Sequence, residues 1–595
     1  MLEQLKQLGF QKDSETCVWK GKNQKDFSYS DGDETENYIL NSIRTSADKS
    51  VYSSELSNFI KDWPTLYHLS SRRSNIIRPF ANYLKGKKVL EIGCGCGALS
   101  RYLAEIGSNL ISVEGSPRRA LITRERCKGF ENVEVVTATS ELVAGLRGFD
   151  VVILNGVLEY SPKFLGVNGH LLLLKTCFEQ LHTSGILILA IENQLGIKYF
   201  SGQPEDHAGM PMYGINDSYR EGEFKTWGKK ELNDLIRQSG FNATEQFVPL
   251  PDYKLPVSVI TPLGWERYSQ DLTNFAIDSV CQDPQTTPHS LFSLEKAYQT
   301  TWKNGLATDM ANSFLMIASK TTLATSVVPL NIAAFHFMDD IGSGFNKAVE
   351  IFEEESILKI KSYPLDMNFK EGATIDYSSP EKYISRISLW IELLQILNHN
   401  DWTIEEIVNW SRSWIEALKE KIFGLEELNI NRLIDSKFWS FTPMNSYRGS
   451  DGRIYFLDIG SGIKGQIDFR LVIYHGLTQS FKKITSIANF KGKIDMPHQL
   501  LIERIFLDLF LVKLEEEEMI NLKMKEQAIN DSTFNSLGFS LNTSAEVLVQ
   551  RPSISELKAT IVNLENKLNH IQQSLSWKYT NPIRKFIRVI RNIFK

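Results

Sequence analysis

The sequence predicts an α/β fold: a parallel sheet with helices on both faces over residues 81–264, then a second α+β region and a C-terminal helix. Three observations predict it. Short, apolar, β-rich runs alternate with amphipathic stretches from Lys88 to Leu250, a glycine-rich turn joins the first run to the first such stretch, and an acidic residue closes the second run. Continuous apolarity suits strands buried on both faces, and strand–helix alternation at this spacing implies parallel βαβ units.

In order, the strands read as VLEI (89–92), LISVE (110–114), VEVVTA (133–138), DVVILN (150–155) and ILILAIE (186–192), with helices over 99–106, 118–127 and 171–181. Residues 1–80 are a polar N-terminal extension with helical pieces at 37–40 and 67–84, expected to fold over a site. Residues 265–329 read as a helical connector. Residues 330–524 open with the strand-like AVEIF and ILKIK and continue with long amphipathic helices. Residues 525–552, rich in Ser, Asn, Thr and Gly from Asp531 onward, read as a linker. Ile554, Leu557, Ile561, Leu564, Leu568, Ile571 and Leu575 then follow a heptad spacing, which predicts a coiled coil over 553–577 and a homo-oligomer. A single amphipathic helix packed on its own chain is the alternative. Residues 578–595 read as a basic amphipathic helix.

Composition narrows the classes. A chain of 595 residues has room for three or four units at ~150 residues each. Hydrophobic residues at 42% and charged residues at 23% are ordinary for a globular protein, and a net charge of −5 exerts no global pull on polyanions, so no nucleic-acid partner is expected. None of the six cysteines forms a CxxC pair. Cys94 and Cys96 lack a second pair to complete a metal site, and small side chains in a reducing cytoplasm account for them. The start, MLEQLKQLGFQKDSETC, is not a signal peptide, and no run approaches ~20 apolar residues. The expected location is the cytoplasm or the inner membrane surface.

The chemistry is written in VLEIGCGCGALSRYLAE. Gly93, Gly95 and Gly97 let the backbone turn sharply and approach a ligand, and the following helix offers free N–H groups to it. Glu114, closing the second strand, is placed to accept hydrogen bonds from ribose hydroxyls. Gly93, Gly95 and Ala98 also satisfy a dinucleotide pattern, so glycine spacing alone does not choose the ligand. Further features do: Glu91 completes ExGxGxG, NGVLEYSP follows the fourth strand over 155–162, and a phrase ending in AIEN leads out of a long helix.

These residues resemble class I S-adenosylmethionine-dependent methyltransferases, whose domain is a Rossmann-like seven-stranded sheet. More narrowly, AIENQLGIKYFSGQPEDHAGMPMYGI (190–215) and FVPLPDYKLP (247–256) resemble methyltransferases of bacterial surface-polysaccharide, or O-antigen, clusters. The resemblance implies S-adenosyl-L-methionine as cofactor. It implies that Gly93, Gly95 and Gly97 line the methionine and ribose, that Glu114 holds the ribose, and that Asn155 through Glu159 border the methyl group. Thr139-Ser140 stands where many relatives carry an acid for the adenine amine.

Transfer from an activated sulfonium is dominated by proximity and alignment, while a hydroxyl acceptor gains from a general base. PEDHAG offers Asp206 and His207 beyond the carboxyl edge of the sheet, where open α/β sheets bind ligands, although a solvated loop histidine has the same signature. Glu192 and Asn193 are further candidates that would equally cap the next helix.

In the second region, residues 439–462 resemble the catalytic segment of protein-kinase-like folds: Asn445 and Asp458-Ile459-Gly460 fit, and would hold a metal if the domain were active. Ser440 replaces the expected catalytic Asp. Lys359 or Lys361 stands for the phosphate-pairing lysine, and Gly342 and Gly344 are what remains of a glycine-rich loop. A degenerate kinase fold, an active kinase and an unrelated hairpin all stay open. In the tail, Ile583, Phe586, Ile587, Ile590, Ile593 and Phe594 oppose Lys578, Arg584, Lys585, Arg588, Arg591 and Lys595, a pattern that fits an anionic membrane surface or packing on the chain itself.

The expected function is methylation, at oxygen, of a sugar or phosphate on a glycan or lipid-linked saccharide intermediate, with glycosyltransferases as partners through the coiled coil. Two rivals are a bifunctional kinase and methyltransferase that caps a glycan chain, and a non-catalytic scaffold.

Overall fold

The computed structural model describes residues 1–21, 30–286, 290–321, 327–339, 346–365, 380–383, 385–424, 430–449, 451–457, 463, 465–490, 496–533, 547–551 and 554–573. Gly342, Gly344, Asp458-Ile459-Gly460 and the basic tail over 578–595 lie outside these residues.

One mixed sheet organises the molecule. Its strands are β1 (Gln11–Lys12), β2 (Trp19–Lys20), β3 (Lys88–Ile92), β4 (Asn109–Glu114), β5 (Val133–Thr137), β6 (Phe149–Asn155), β7 (Leu181–Glu192), β8 (Ala243–Leu250), β9 (Ser258–Ile260), β10 (Ser313–Ser319), β11 (Ile332–Met338), β12 (Lys347–Glu354), β13 (Ile357–Pro364) and β14 (Glu381–Lys382). They lie in the order β1-β2-β5-β4-β3-β6-β7-β10-β8-β9-β11-β12-β13-β14. From β2 to β7 every pairing is parallel, and β10 enters antiparallel between β7 and β8. All five expected strands are present, as are their helices Ala98–Glu105, Pro117–Arg126 and Gly169–Gln180.

Alternation along the strands builds two cores. Leu90, Ile92, Val113, Leu154, Leu189 and Ile191 face Leu173, Leu232 and Ile236 on one side. Val89, Leu110, Val135, Ile153, Ile188 and Ala190 face Leu84, Leu99, Leu103 and Ala120 on the other. Burial on both faces is why these strands read as unbroken apolar runs.

The domain boundaries differ from the expectation in three places. Residues 265–329 are not a purely helical connector, because SFLMIAS forms β10 and completes the seven-stranded unit; all seven of its residues are buried, as a strand with both edges paired and both faces covered must be. No break falls at residue 330. β11 pairs with β9, and a single core joins Leu250, Ile260, Ala334 and Ile351 to the helices Leu389–Leu397 and Ile404–Phe423. The linker assigned to 525–552 begins inside the helix Glu516–Thr533, where Glu526 is buried against His475 at 2.8 Å. The N-terminal residues also join the sheet, with Trp19 pairing Val136. Residues Ile554–Gln573 do form a helix, and Ile561, Leu564, Leu568 and Ile571 are exposed on it rather than packed on the chain. Among the described residues no helix is long and apolar enough to cross a membrane.

Candidate active site

Beyond the carboxyl ends of β3, β4, β6 and β7 lies a cavity of about 420 Å³. Its floor is the glycine-rich turn. Gly93 and Cys94 donate their backbone N–H to Val113 O at 2.8 and 3.0 Å, and Gly93, Gly95 and Gly97 have φ of +76°, +56° and +76°. A Cβ on Gly93 would stand 2.5 Å from Val157, and one on Gly97 2.9 Å from the Thr123 Cα. At Gly95 the nearest atom would be 3.8 Å away, on His68, so space is left above the middle glycine for a ligand.

Glu114 secures the turn and borders the cavity. Its Oε2 accepts from Gly95 N at 2.8 Å and its Oε1 from Ser116 N at 2.9 Å; each oxygen retains capacity for a further donor. Burial raises its pKa. Glu91, expected at the cofactor, lines the cavity and also braces the loop from beneath. Its Oε2 accepts from Ser100 Oγ at 2.5 Å and Ser112 Oγ at 3.1 Å, and burial pushes its carboxyl up to about 7. Asn155, at the end of β6, lines the cavity with a buried Oδ1 that has no protein partner. Thr139, Ser140 and Glu141 line it beyond β5, so an acid is present two residues after the position where relatives carry one.

The N-terminal extension supplies the roof. Asp31, Trp63, Tyr67 and His68 all line the cavity. Asp31 Oδ2 accepts from Arg119 Nη2 at 2.5 Å and lies 2.8 Å from His68 Nε2, while Arg119 also pairs with Glu36 at 2.8 Å. No spacing in the sequence marks these residues, because their partners sit some 40 to 90 positions away.

At the far wall, the loop carrying PEDHAG is pinned by a bridge between Pro204 and Pro211. His207 is not solvated. Its side chain is 5% exposed, stacked on Phe224 with centroids 5.2 Å apart and edge-on to Tyr160. His207 Nδ1 lies 2.9 Å from Glu205 Oε1, and Nε2 lies 3.9 Å from Glu159 Oε1. Burial opposes charge on the ring, but Glu192, Glu205 and Glu159 together push it up to about 9. Burial and the nearby Glu192 push Glu159 up to about 8. Glu159 and Glu192 each keep one buried oxygen, Oε2, without a partner.

Asp206 departs from its expected role. Lys254 Nζ binds its Oδ1 at 3.1 Å, Lys198 Nζ lies 3.1 Å from Oδ2, and Tyr199 donates to the same oxygen. These two ammonium groups outweigh burial and hold its carboxyl far below the usual carboxylate range, which leaves a poor base. Lys254 Nζ also contacts Glu192 Oε1 at 2.9 Å and Asp252 Oδ2 at 3.1 Å, and Tyr253 donates to Glu192 Oε1 at 3.1 Å. Tyr253 and Lys254 belong to the quoted phrase FVPLPDYKLP, although nothing in the sequence gave them a role. Asn193 caps no helix: it donates to Asp309 O and Ala311 O and accepts from Leu195 N.

In the second region, Asn445 Nδ2 donates to Ser440 O at 2.8 Å, at the start of a hairpin that pairs Ser446–Arg448 with Ile454–Phe456. Lys359 pairs with Glu354, and Lys361 with Glu350 at 2.7 Å, both within the β12–β13 hairpin.

The strand order, the glycine turn and the carboxylate closing the second strand define a class I S-adenosylmethionine-dependent methyltransferase domain. Residues 68–246 match the family described as Methyltransferase domain, and S-adenosylmethionine is the cofactor of this chain. The open space at Gly95, the free Asn155 Oδ1 and the spare acceptor capacity of Glu114 fit that ligand. The ubiquinone biosynthesis O-methyltransferase of Haemophilus ducreyi is 30% identical over 138 residues, 22% of this chain and 55% of that one. The demethylmenaquinone methyltransferase of Tropheryma whipplei is 33% identical over 69 residues, 12% of this chain and 29% of that one. The chain spans about half the length of the curated relatives it matches. Among solved structures, a SAM-dependent methyltransferase from Thermotoga maritima aligns at 18% identity with a TM-score of 0.26, over 43% of this chain and 92% of its own.

Proposed function

We propose that the chain methylates a hydroxyl oxygen of a bacterial surface-polysaccharide intermediate, a glycan or lipid-linked saccharide. The observation that carries this reading is the placement of two buried, half-satisfied carboxylates, Glu159 and Glu192, beside His207 in the same cavity as the glycine turn. A hydroxyl that donates its proton toward such a cluster fits it, whereas an anionic phosphate would meet carboxylates. S-adenosylmethionine, when bound, supplies a methyl group already activated by its sulfonium. The chain's part is to bind the acceptor in line, to exclude bulk water beneath the Asp31–His68 roof, and to ease the loss of the acceptor's proton at the cluster.

The resemblance of 190–215 and 247–256 to polysaccharide-cluster methyltransferases supports the acceptor class, because those segments contribute Glu192, His207, Tyr253 and Lys254 to the cavity wall. The ubiquinone-pathway relatives are O-methyltransferases by name, which supports oxygen as the acceptor atom. The exposed heptad positions of Ile554–Gln573 and the basic tail support assembly with a second copy or with glycosyltransferases at an anionic membrane face. A kinase-like origin for 330–524 remains part of this reading through Asn445 and its hairpin.

The test is incubation of the full chain with methyl-labelled S-adenosylmethionine and isolated lipid-linked glycans, followed by mass analysis. A label on a sugar oxygen is expected. Label on no glycan, or on a phosphate alone, contradicts the reading.

A further inference from the structure

The acceptor end of the cavity gathers a dense network of ionisable side chains. Glu159, Glu192, Glu205, Asp206 and Asp252 are tied together through ion pairs with His207, Lys198 and Lys254. Arg73, on the same wall, spends one N–H on Lys254 O at 2.7 Å.

Three of these side chains bring a donor atom each into one place. Glu159 comes from the turn Leu158–Tyr160 after β6, Glu192 from the last residue of β7, and His207 from the PEDHAG loop. One donor atom from each lies within 4.8 Å of the other two. Atoms that share a single ion at about 2.1 Å stand roughly 3–4 Å apart, a difference that side-chain rotation covers. The two carboxylates carry the unpartnered, fully buried oxygens already described. Glu205 holds His207 Nδ1, which is the arrangement that aims the opposite nitrogen of a histidine ligand at an ion. Tyr253 and Lys254 hold the other oxygen of Glu192 in the same way.

We propose that Glu159, Glu192 and His207 form a divalent-cation site at the acceptor end of the cavity, and that the ion holds paired hydroxyls of the acceptor. This rests on the reading of the acceptor as a hydroxyl compound. Two carboxylates and one imidazole suit a hard to borderline ion such as Mn²⁺ or Mg²⁺, and three protein ligands leave positions open for acceptor oxygens and water. Two neighbouring sugar hydroxyls fill two of them. The ion lowers the pKa of the reacting hydroxyl. As the new C–O bond forms, the C–S bond of the methyl donor breaks with its electron pair left on sulfur, and the hydroxyl proton leaves to water at an open position. His207 is then a ligand rather than the proton acceptor. The sequence hid this site because its three ligands come from three segments with no metal-binding spacing.

The test uses the full chain, stripped by chelation and titrated with MnCl2 alone, with no nucleotide present. Free Mn²⁺ is read by its paramagnetic resonance signal. One tight equivalent is expected, with affinity at least tenfold weaker in Glu159→Gln and in Glu192→Gln, while S-adenosylhomocysteine affinity in both stays within about twofold. Pulsed resonance of the wild-type complex should show coupling to one imidazole nitrogen, a readout that needs no variant. Absence of Mn²⁺ binding, equal affinity in the variants, or absence of the nitrogen coupling overturns the site. Methyl transfer that persists undiminished after exhaustive chelation overturns the cation and leaves the methylation proposal standing. Stoichiometric Mn²⁺ with no methylated glycan does the reverse.

Discussion

Glu205 and His207 form a closed pair: Glu205 Oε1 lies 2.9 Å from His207 Nδ1, and Glu205 Oε2 accepts the backbone N–H of His207 at 2.8 Å and of Ala208 at 2.6 Å. The ring is therefore fixed in direction, with Nε2 turned to the cavity. His207→Ala should lower turnover by about tenfold or more while S-adenosylhomocysteine affinity stays within about twofold, because what is lost acts on the acceptor. Steady-state kinetics with calorimetry checks this, and unchanged turnover would remove His207 from the reaction.

Glu91 gives a pH dependence of stability. Its folded carboxyl titrates at about 7 against an ordinary 4.5. Between those values the folded state binds more protons than the unfolded one, so stability falls as pH rises through this window and stays lower above it. Glu91→Gln does not titrate. Relative to wild type, it should gain on the order of 3 kcal/mol between pH 4.5 and 8, or a few degrees in Tm. Parallel melting curves of the two proteins across that range would contradict the assignment.

Asp31 ties the N-terminal extension to the cofactor cavity through Arg119 and His68. Asp31→Asn keeps the shape and removes the charge. Affinity for S-adenosylhomocysteine should drop several-fold, and the domain should lose about 1–3 kcal/mol as Arg119 loses its ion pair with Asp31. Calorimetry and thermal melting read the two effects. An unaltered affinity would show that the extension is no roof for the ligand.

Ser440 stands where a kinase base is expected, and its carbonyl oxygen is spent on Asn445. Loss of that base should cost orders of magnitude in phosphoryl transfer. ATP-dependent phosphate incorporation into glycan acceptors should be undetectable. Incorporation abolished by Asp458→Ala would establish the bifunctional rival.

What the sequence disclosed and what it withheld follow from locality. Gly93, Gly95, Gly97 and Glu114 are close along the chain and obey a spacing, so the cofactor floor was readable. The five central strands were readable because burial on both faces leaves an unbroken apolar signature. β10 has the same signature in SFLMIAS but sits among helices, so its place between β7 and β8 was missed. His207 stands out in PEDHAG as a candidate while its partner Glu205 does not, and two lysines outside that loop prevent the base role that Asp206's position suggests. Asp31, His68 and Arg119 meet only through tertiary packing, and no periodicity marks them.

Whether the cavity above Gly95 is the S-adenosylmethionine site is read by titrating S-adenosylhomocysteine into the full chain and into Gly95→Arg. A Cβ at position 95 finds open space toward His68, so the arginine side chain should fill the ligand's volume, at the cost of some strain because the backbone there is left-handed, with φ +56°. One equivalent is expected to bind the wild type and none measurably the variant, which should stay folded with a modestly lowered melting temperature. Equal affinity in the two proteins would contradict that site.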